Sequence, residues 1–416
     1  MQTDAGVPLF APCEGSSVHK VSHARDTLRS SLFHTFLLLP GLKVVKLLSK
    51  ISSQGPQSPA GAQQLRKPVE ASARANAKKH NEPMDVGTFQ LEAATRADAR
   101  FHLQDWDLVS IAPEGVPSTE IKRTILYTPG GGYVSWMKEL QAHVACRAAH
   151  HLKARVIFVP YQVAPHTTAP RSYPGLVKVF EKVWQDCKLN RNISHELILF
   201  GDSAGGGMAA ALILGLKELL PFICDDVTRP HLASVAPDQL LLACPALHIP
   251  QDDNEPLVKE LLKVDPLFTV RRVRDMGESW GIGKSDMQEK YEAEKKAWPK
   301  EMQLLLQDSE HRRGGRHPYV SPVWAPELYE TLKERRIACV LQAPIHDLIY
   351  QGSYLFLQRA EKSGVPVRYI ETQRATHVCI ALQHLDIPES VDALRYMWEA
   401  VEANTADYAI PSLDRA

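Results

Sequence analysis

Short apolar runs alternate with longer amphipathic stretches along this chain from about residue 86 onward. Six of the runs are mainly apolar, as is typical of strands buried in a sheet. They are Thr124–Tyr127, Arg155–Pro160, Leu197–Phe200, Gln239–Cys244, Ile337–Gln342 and Val365–Glu371. Because strands that alternate with helices form parallel sheets, the pattern predicts an α/β fold with a mostly parallel central sheet flanked by helices.

Three stretches between or after these strands have the periodicity of helices. Residues 137–153 lie between the first two strands, residues 208–220 follow the third, and residues 389–403 form the last element. The last helix is predicted to be amphipathic and to bury Val391, Leu394, Met397 and Val401.

Two regions interrupt the rhythm. Residues 53–85 are rich in Ser, Gly, Pro, Ala, Gln and Lys, which predicts a mobile linker. Residues 250–316 are highly charged and contain helical runs such as Ser285–Gln307, which predicts a cap or lid inserted between two core strands. The expected organisation is an N-terminal cap helix and flexible linker (1–85), a first core part (86–249), the cap (250–316) and a second core part (317–416).

The most apolar early stretch, Leu32–Leu48, is interrupted by His34, Pro40 and two lysines. It is too short and too polar to span a bilayer. We expect an amphipathic helix that covers an active site, with peripheral contact to a membrane surface as the alternative.

Composition narrows the range of functions. Lys plus Arg and Asp plus Glu number 48 each, so no net charge favours nucleic acid or an anionic membrane, and no nucleic-acid partner is expected. The seven cysteines are scattered without a C-x-x-C pair, which indicates neither a disulfide framework nor a metal site. With no basic and apolar secretion signal at Met1–Asp4, we expect a cytoplasmic protein; its oligomeric state is left open.

The strongest chemical signal is Gly201-Asp202-Ser203-Ala204-Gly205, which directly follows an apolar strand and precedes a helix rich in small residues. Such a strand–turn–helix presents a serine on a sharp turn whose flanking positions must be almost free of side chains. The helix N-terminus places backbone N–H groups near developing negative charge. Ser203 is therefore the predicted nucleophile.

A second signal is the glycine run in Pro129-Gly130-Gly131-Gly132, which also follows a strand. Glycines there let backbone amides approach a bound ligand, which favours an oxyanion hole. A phosphate-binding loop and an inert turn are the alternatives, although the run lacks the Gly-Lys-Ser/Thr ending and the G-x-G-x-x-G spacing of phosphate loops.

Together these motifs resemble the hormone-sensitive-lipase-like branch of the α/β hydrolases, which includes bacterial esterases and fungal steryl-acetate hydrolases. The matching segments are Pro129–Gly132, Tyr161–His166, Gly201–Gly206 and Ser321–Ala325, and the resemblance covers about residues 105–404. It implies an α/β-hydrolase fold and an oxyanion hole formed by the amides of Gly131, Gly132 and Ala204. Pro129, Gln162 and His166 replace a histidine, an arginine and a glutamate that normally brace the glycine loop in that branch.

In this fold the catalytic order along the chain is serine, acid, histidine. Asp347 follows the strand 337–342 and His377 follows the strand 365–371, so both are predicted to lie at the same edge of the sheet as Ser203. His377 would accept the Ser203 proton, and Asp347 would orient the imidazole. His346 and His384 are the alternative bases, and Glu371 is the alternative acid.

These residues predict hydrolysis of a carboxylic ester through an acyl-enzyme, without metal or cofactor. The small-molecule substrate is expected to be a short-chain or acetyl ester of a hydrophobic alcohol. Acyl transfer, a tailoring hydrolysis in a fungal secondary-metabolite pathway, and a non-catalytic small-molecule receptor on the same fold are the alternatives.

Overall fold

The structure, a computed structural model, describes residues 17–21, 63–103, 106, 108–135, 139–191, 194–249, 254–281, 296, 299–306, 317–373 and 375–407. The expected cap helix at Leu32–Leu48 lies outside these residues, as does most of the expected helix Ser285–Gln307.

One twisted sheet organises the described part of the chain, and nine strands belong to it. The strands are β1 (Ser17–Val21), β2 (Met84–Phe89), β3 (Leu108–Pro113), β4 (Arg123–Thr128), β5 (Ala154–Phe158), β6 (Glu196–Asp202), β7 (Gln239–Ala243), β8 (Ala338–Pro344) and β9 (Val367–Thr372). Their spatial order is β1-β9-β8-β7-β6-β4-β5-β3-β2. In the row β1-β9-β8-β7-β6-β4-β5, each strand pairs in parallel with the next. Strand β3 pairs in antiparallel orientation with both β5 and β2.

The six predicted strands form the centre of this sheet, within a few residues of their expected bounds, so the predicted α/β class with a mostly parallel sheet is confirmed. Every residue of β6, β7 and β8 is buried. Leu197 and Leu199 pack into one hydrophobic layer, and Ile198 and Phe200 pack into the layer on the opposite face. Burial on both faces explains why these strands are continuously apolar in sequence.

Helices cover both faces of the sheet. They are α1 (Gln63–His80), α2 (Ala93–Ala97), α3 (Glu139–His151), α4 (Ala169–Gln185), α5 (Ser203–Glu218), α6 (Leu220–Ile223), α7 (Pro256–Val264), α8 (Val270–Gly281), α9 (Lys300–Leu306), α10 (Pro326–Glu334), α11 (Tyr350–Ser363) and α12 (Pro388–Asp407). Helices α1, α3 and α12 pack on one face of the sheet, and α4, α5, α10 and α11 pack on the other.

The prediction of a mobile linker over residues 53–85 is wrong for residues 63–80, which form α1. Val69, Ser72, Ala73 and Asn76 are buried at helical spacing, and the Ser72 hydroxyl donates to the Glu139 carbonyl at 3.0 Å. The Ala, Gln and Lys residues that suggested a linker are also strong helix formers. Composition alone therefore does not distinguish this helix, which buries only a narrow stripe of side chains, from a linker.

The predicted buried face of the last helix needs one correction. Val391 is 42% exposed, whereas the expected residues Leu394, Met397 and Val401 are buried. The buried stripe of α12 begins at Glu389 and Ser390 instead, which are 4% and 1% exposed. A shift of one residue turns a side chain by about 100° around a helix, so Val391 faces outward.

The charged region after β7 contributes α7, α8 and α9 to the described structure. These three helices stand between the core strands β7 and β8 along the chain, within the region predicted to be an insertion. Helix α8 buries Val270, Val273 and Trp280 against the protein body. None of the helices that the structure describes is long and apolar enough to cross a membrane.

Candidate active site

The turn between β6 and α5 places Ser203 at the carboxyl edge of the sheet. Ser203 has a φ of 54°, in the left-handed region that a residue with a side chain rarely adopts. A β-carbon on Gly205 would lie 1.9 Å from the Thr128 carbonyl oxygen, so the helix can start this close to β4 only with glycine there. The glycines of the motif thus serve the tight strand–helix connection that presents the serine.

Ser203, His377 and Asp347 form one hydrogen-bonded chain. The Ser203 Oγ atom lies 2.7 Å from His377 Nε2, and His377 Nδ1 lies 2.7 Å from Asp347 Oδ2. The three residues follow β6, β9 and β8, whose carboxyl ends meet at one edge of the sheet. Ser203 and His377 are 8% and 6% exposed, and Asp347 is fully buried.

The surroundings of His377 favour its charged form. Burial alone would lower the pKa of His377, but the charge of Asp347 and its hydrogen bond to Nδ1 outweigh burial and raise the pKa above its usual value. The carboxylates of Asp265 and Asp202 add to this effect. An imidazolium formed at this position is therefore stabilised.

The alternative acid and bases have other partners. The Glu371 carboxylate accepts hydrogen bonds from Tyr369 and Gln373. The Nδ1 atom of His384 lies 2.9 Å from the Ala381 carbonyl oxygen, and the His346 amide donates to the Ala375 carbonyl. It is Asp347 and His377 that the structure brings to Ser203.

Both sides of one peptide unit in the glycine loop are held by side chains. The Pro129 carbonyl accepts a hydrogen bond from the Tyr161 hydroxyl at 2.8 Å, and the Gly130 amide donates to Asp202 Oδ1 at 2.9 Å. Asp202 in turn accepts from the Tyr127 hydroxyl at 2.5 Å and from the Gln141 side-chain amide at 3.1 Å. These contacts brace the loop in which Pro129 stands at the usual histidine position.

The peptide unit between Gly131 and Gly132 is held by a different set of hydrogen bonds. The Gly131 carbonyl accepts from the amides of Val134 and Ser135, at 3.2 and 3.0 Å. Since the C=O and N–H of a trans peptide point in opposite directions, the Gly132 amide faces away from that turn. Gly131 has a φ of 150°, and a β-carbon on it would lie 2.1 Å from the Ser135 carbonyl oxygen, so only glycine fits.

A cavity of about 340 Å³ lies over these groups. Ser203, His377 and the three residues expected to donate to an oxyanion (Gly131, Gly132 and Ala204) all line it. The rest of the lining is mainly apolar and includes Tyr133, Val134, Leu140, Ala246, Ile249, Phe268, Val273, Met276, Ile349, Val378, Ala381 and Leu382. Arg272 brings a cationic side chain to the same cavity.

The insertion contacts both parts of the site. The Trp280 ring stacks on Tyr133, with centroids 5.3 Å apart and an angle of 9° between the planes. A β-carbon on Gly132 would lie 2.4 Å from Met276 Sδ, so α8 packs directly on the glycine loop. Phe268 lies edge-on to His377, with centroids 4.7 Å apart. The insertion is thus part of the cavity wall.

Sequence reasoning missed the residues that brace the site. Asp202 occupies the variable position of the serine motif, and Tyr127 and Tyr161 lie at the ends of strands or loops. An acidic residue between the glycine and the serine of the motif indicates that its carboxylate can hold a neighbouring loop by hydrogen bonds. The partners of that carboxylate cannot be identified without the tertiary structure. Among the described residues, no group of three or more His, Cys, Asp or Glu side chains is arranged to hold a metal ion.

Comparison with known proteins supports this architecture. A family model described as alpha/beta hydrolase fold matches residues 125–291, which include the glycine loop, the serine turn and α8. This chain has the α/β-hydrolase fold. The match ends before Asp347 and His377, so it covers the first half of the site.

Solved esterases share the hydrolase fold over most of the chain. A thermostable esterase from Pseudomonas putida ECU1011 superposes with a TM-score of 0.58 at 15% identity, covering 89% of this chain and 98% of that one. A variant of the esterase E40 gives a TM-score of 0.58 at 16% identity, with coverages of 89% and 98%. At such identities the likeness shows the fold alone.

A curated relative is closer in sequence over a shorter span. The protein named Esterase from Gibberella moniliformis (strain M3125 / FGSC 7600) is 35% identical over 98 residues. The match spans 23% of this chain and 31% of the relative's length.

Proposed function

We propose that this α/β hydrolase is a serine esterase that cleaves carboxylic esters through an acyl-enzyme. The observation that carries the proposal is the continuous chain from Ser203 Oγ through His377 to Asp347, with both hydrogen bonds at 2.7 Å, opening onto a cavity. The esterase activity given by the name of the Gibberella relative agrees with it.

In the acylation step, His377 Nε2 removes the proton from Ser203 Oγ as that oxygen attacks the ester carbonyl carbon. The carbonyl oxygen becomes an oxyanion in a tetrahedral intermediate. Collapse of the intermediate breaks the bond to the alcohol oxygen, which takes the proton from His377 and leaves. Asp347 keeps Nδ1 protonated and stabilises the imidazolium while it exists.

Deacylation repeats the sequence with water. His377 accepts a proton from a water molecule that attacks the acyl carbon, and then returns it to Ser203 as the carboxylic acid departs. Each cycle restores Ser203 and His377 to their starting protonation states.

The oxyanion hole is proposed to consist of the amides of Gly131, Gly132 and Ala204. All three residues line the cavity with Ser203, and the Gly132 amide faces away from the turn that engages the Gly131 carbonyl. Ala204 is the first residue after the serine, where the N-terminus of α5 adds a partial positive charge. Each such donor contributes a few kcal/mol to stabilising the transition state, about 3–4 kcal/mol in measured cases.

We propose a short-chain or acetyl ester of a hydrophobic alcohol as the substrate class. The cavity volume of about 340 Å³ is at the lower end of small-molecule sites. Its lining is mainly apolar, which suits a hydrophobic alcohol portion, and α8 limits its depth beside Gly132.

Covalent labelling tests the mechanism. A fluorophosphonate probe should label the purified protein once, with the adduct on Ser203, and Ser203→Ala should abolish labelling. Ser279→Ala replaces a half-buried serine of α8 that does not line the cavity; it is the matched control and should label like the original protein. A folded protein that is not labelled, or that is labelled equally well as Ser203→Ala, would contradict the proposal.

A series of p-nitrophenyl esters tests the substrate class. The value of kcat/KM should be highest for acetyl or butyryl esters and should fall as the acyl chain lengthens. A steady increase toward long acyl chains would refute the short-chain assignment while leaving the serine mechanism intact.

The free thiols bear on location. The six cysteines within the described residues (Cys146, Cys187, Cys224, Cys244, Cys339 and Cys379) are all buried and free. Buried free thiols are common in a reducing compartment. We therefore propose a cytoplasmic location, which localisation of a tagged full-length chain by microscopy would test.

A further inference from the structure

Asp265 is a buried carboxylate in the insertion that has no part in the proposed reaction. It follows the end of α7 and is 5% exposed. Its Oδ1 atom accepts hydrogen bonds from the amides of Leu267 at 2.5 Å and Phe268 at 2.9 Å. Its Oδ2 atom accepts from the Leu348 amide at 2.6 Å. One side chain thus joins the turn between α7 and α8 to the loop that carries Asp347.

Two consecutive backbone amides of that loop donate hydrogen bonds to two different carboxylates. The Leu348 amide donates to Asp265, and the Ile349 amide donates to Asp347 Oδ1 at 3.1 Å. The second oxygen of Asp347 is the one that contacts His377. Fixing the Leu348 peptide from outside the loop therefore limits how Asp347 can rotate relative to the imidazole.

The same turn reaches His377 directly. The Asp265 side chain holds the Phe268 amide, and the Phe268 ring lies edge-on to the imidazole, with centroids 4.7 Å apart and an angle of 63° between the planes. Asp265 also acts through space, because its charge helps to raise the pKa of His377. Both the geometry and the charge of Asp265 thus act on the proposed catalytic base.

Burial and the nearby charge of Asp347 raise the pKa of Asp265 to about 6, while the three amides that donate to the carboxylate oppose this. Within the described part of the chain, Asp265 interacts electrostatically with Asp347, from the loop after β8, and with His377, from the loop after β9. At neutral pH the carboxylate is therefore mainly ionised, which is the form that three N–H donors require.

We propose that Asp265 is a positioning residue for the Asp347–His377 pair and that it makes the insertion a supporting part of the catalytic site. It acts by fixing the Leu348 peptide, by seating Phe268 against the imidazole and by placing a second negative charge near it. The kinetic part of this inference rests on the proposed esterase function, whereas the effect on His377 itself does not.

The direct test is an NMR titration of histidine labelled with ¹³C at Cε1, with the His377 signal identified by its absence in His377→Asn. In Asp265→Asn the charge is lost, and the side-chain NH₂ group replaces one acceptor oxygen. The pKa of His377 should fall by about half a unit or more. Asp275→Asn removes an exposed carboxylate from α8 and should leave the pKa of His377 unchanged.

Asp265→Glu separates charge from geometry. The added methylene displaces the carboxylate from the Leu348 amide but keeps the negative charge, so the pKa of His377 should stay near its original value. The value of kcat should nonetheless fall by about tenfold, as expected when a catalytic group moves by a fraction of an ångström. KM should change less than kcat, because Asp265 itself does not line the cavity and reaches it only through Phe268. This variant also provides a test if Asp265→Asn does not fold.

The failures of the two proposals can be told apart. An unchanged pKa of His377 in folded Asp265→Asn, or unchanged kcat in Asp265→Glu, would overturn the positioning role even in an active esterase. Failure of the fluorophosphonate to label the original protein would overturn the esterase function, and the NMR titration would still decide the role of Asp265.

Discussion

The rings of Tyr133 and Trp280 stack nearly parallel, with centroids 5.3 Å apart. Tyr133 directly follows the glycine loop and has a φ of 63°, and Trp280 lies near the end of α8 and is fully buried. Tyr161, whose hydroxyl holds the Pro129 carbonyl, meets the same indole edge-on. Trp280 of the insertion thereby packs on Tyr133 at one end of the glycine loop, while Asp202 accepts a hydrogen bond from the Gly130 amide within it.

Replacing Trp280 by Ala should lower the free energy of unfolding by about 3–5 kcal/mol, because a large buried ring is lost. Trp280→Phe keeps a ring against Tyr133 and should lose much less. Urea denaturation followed by circular dichroism measures both. Trp324→Ala is the control, since Trp324 is 41% exposed. A loss in Trp280→Ala no larger than in Trp324→Ala would argue against this support.

The pH dependence of the reaction should reflect His377. Only the neutral imidazole can accept the Ser203 proton, so kcat/KM should rise with pH through the pKa of His377. Because Asp347 raises that pKa, the midpoint should lie above 6.5, the usual value for histidine. In Asp347→Asn the midpoint should move to lower pH, and kcat should fall by about 10³–10⁴-fold. A midpoint that does not respond to Asp347→Asn would exclude this pairing as its cause.

The Tyr161 hydroxyl should affect turnover through the glycine loop. Tyr161→Phe removes the hydrogen bond to the Pro129 carbonyl and should reduce kcat by about tenfold with little change in KM. The free energy of unfolding should fall by about 1 kcal/mol. Tyr329→Phe also removes a buried hydrogen bond to a carbonyl, that of Val323, but Val323 lies outside the glycine loop. Equal kcat values in the two variants would show that the brace is structural only.

Asp225 should stabilise the fold on the side of the sheet covered by α4. Burial would raise the pKa of Asp225, but hydrogen bonds from Lys182, Gln185 and the Thr228 amide outweigh burial and hold the pKa well below its usual range. Asp225→Asn should therefore lower the free energy of unfolding by about 2 kcal/mol at neutral pH.

The sign of this effect with pH follows from the lowered pKa. The contribution of Asp225 is fully present above its unfolded pKa of about 4 and is lost as the pH falls through the native value. The stability difference between the original protein and Asp225→Asn should therefore be constant from pH 7 to 5 and shrink below about pH 4. Asp226→Asn, at an exposed neighbouring position, should show no such dependence. A difference that grows on acidification would contradict this assignment.

Sequence patterns predict the centre of this molecule better than its edges. Strands β4 to β9 are apolar on both faces and so are evident from runs such as Leu197–Phe200. Strand β2 is half-exposed, with the sequence MDVGTF, and it carries no such run. Helix α1 was not predicted because its buried stripe consists, apart from Val69, of small or polar residues, which composition does not distinguish from a loop.

The same limit applies to the site. Ser203, Asp347 and His377 could be selected because each follows a strand, and parallel strands end at one edge. The bracing residues Tyr161 and Asp265 could not be selected in this way. Their partners lie 32 and 83 residues away, in loops whose paths depend on tertiary packing.

The strand β1 has a consequence for how the chain completes its fold. It pairs in parallel with β9, so that Ser17 lies opposite Arg368 and Val21 lies opposite Thr372, five residues before His377. This register pairs two segments that lie about 350 residues apart in the sequence, beside the loop that carries His377, and closing so long a loop costs conformational entropy before the pairing contributes. During synthesis the segment 17–21 cannot pair until β9 has been made. The edge of the sheet beside the His377 loop is therefore completed only after β9 has been synthesised.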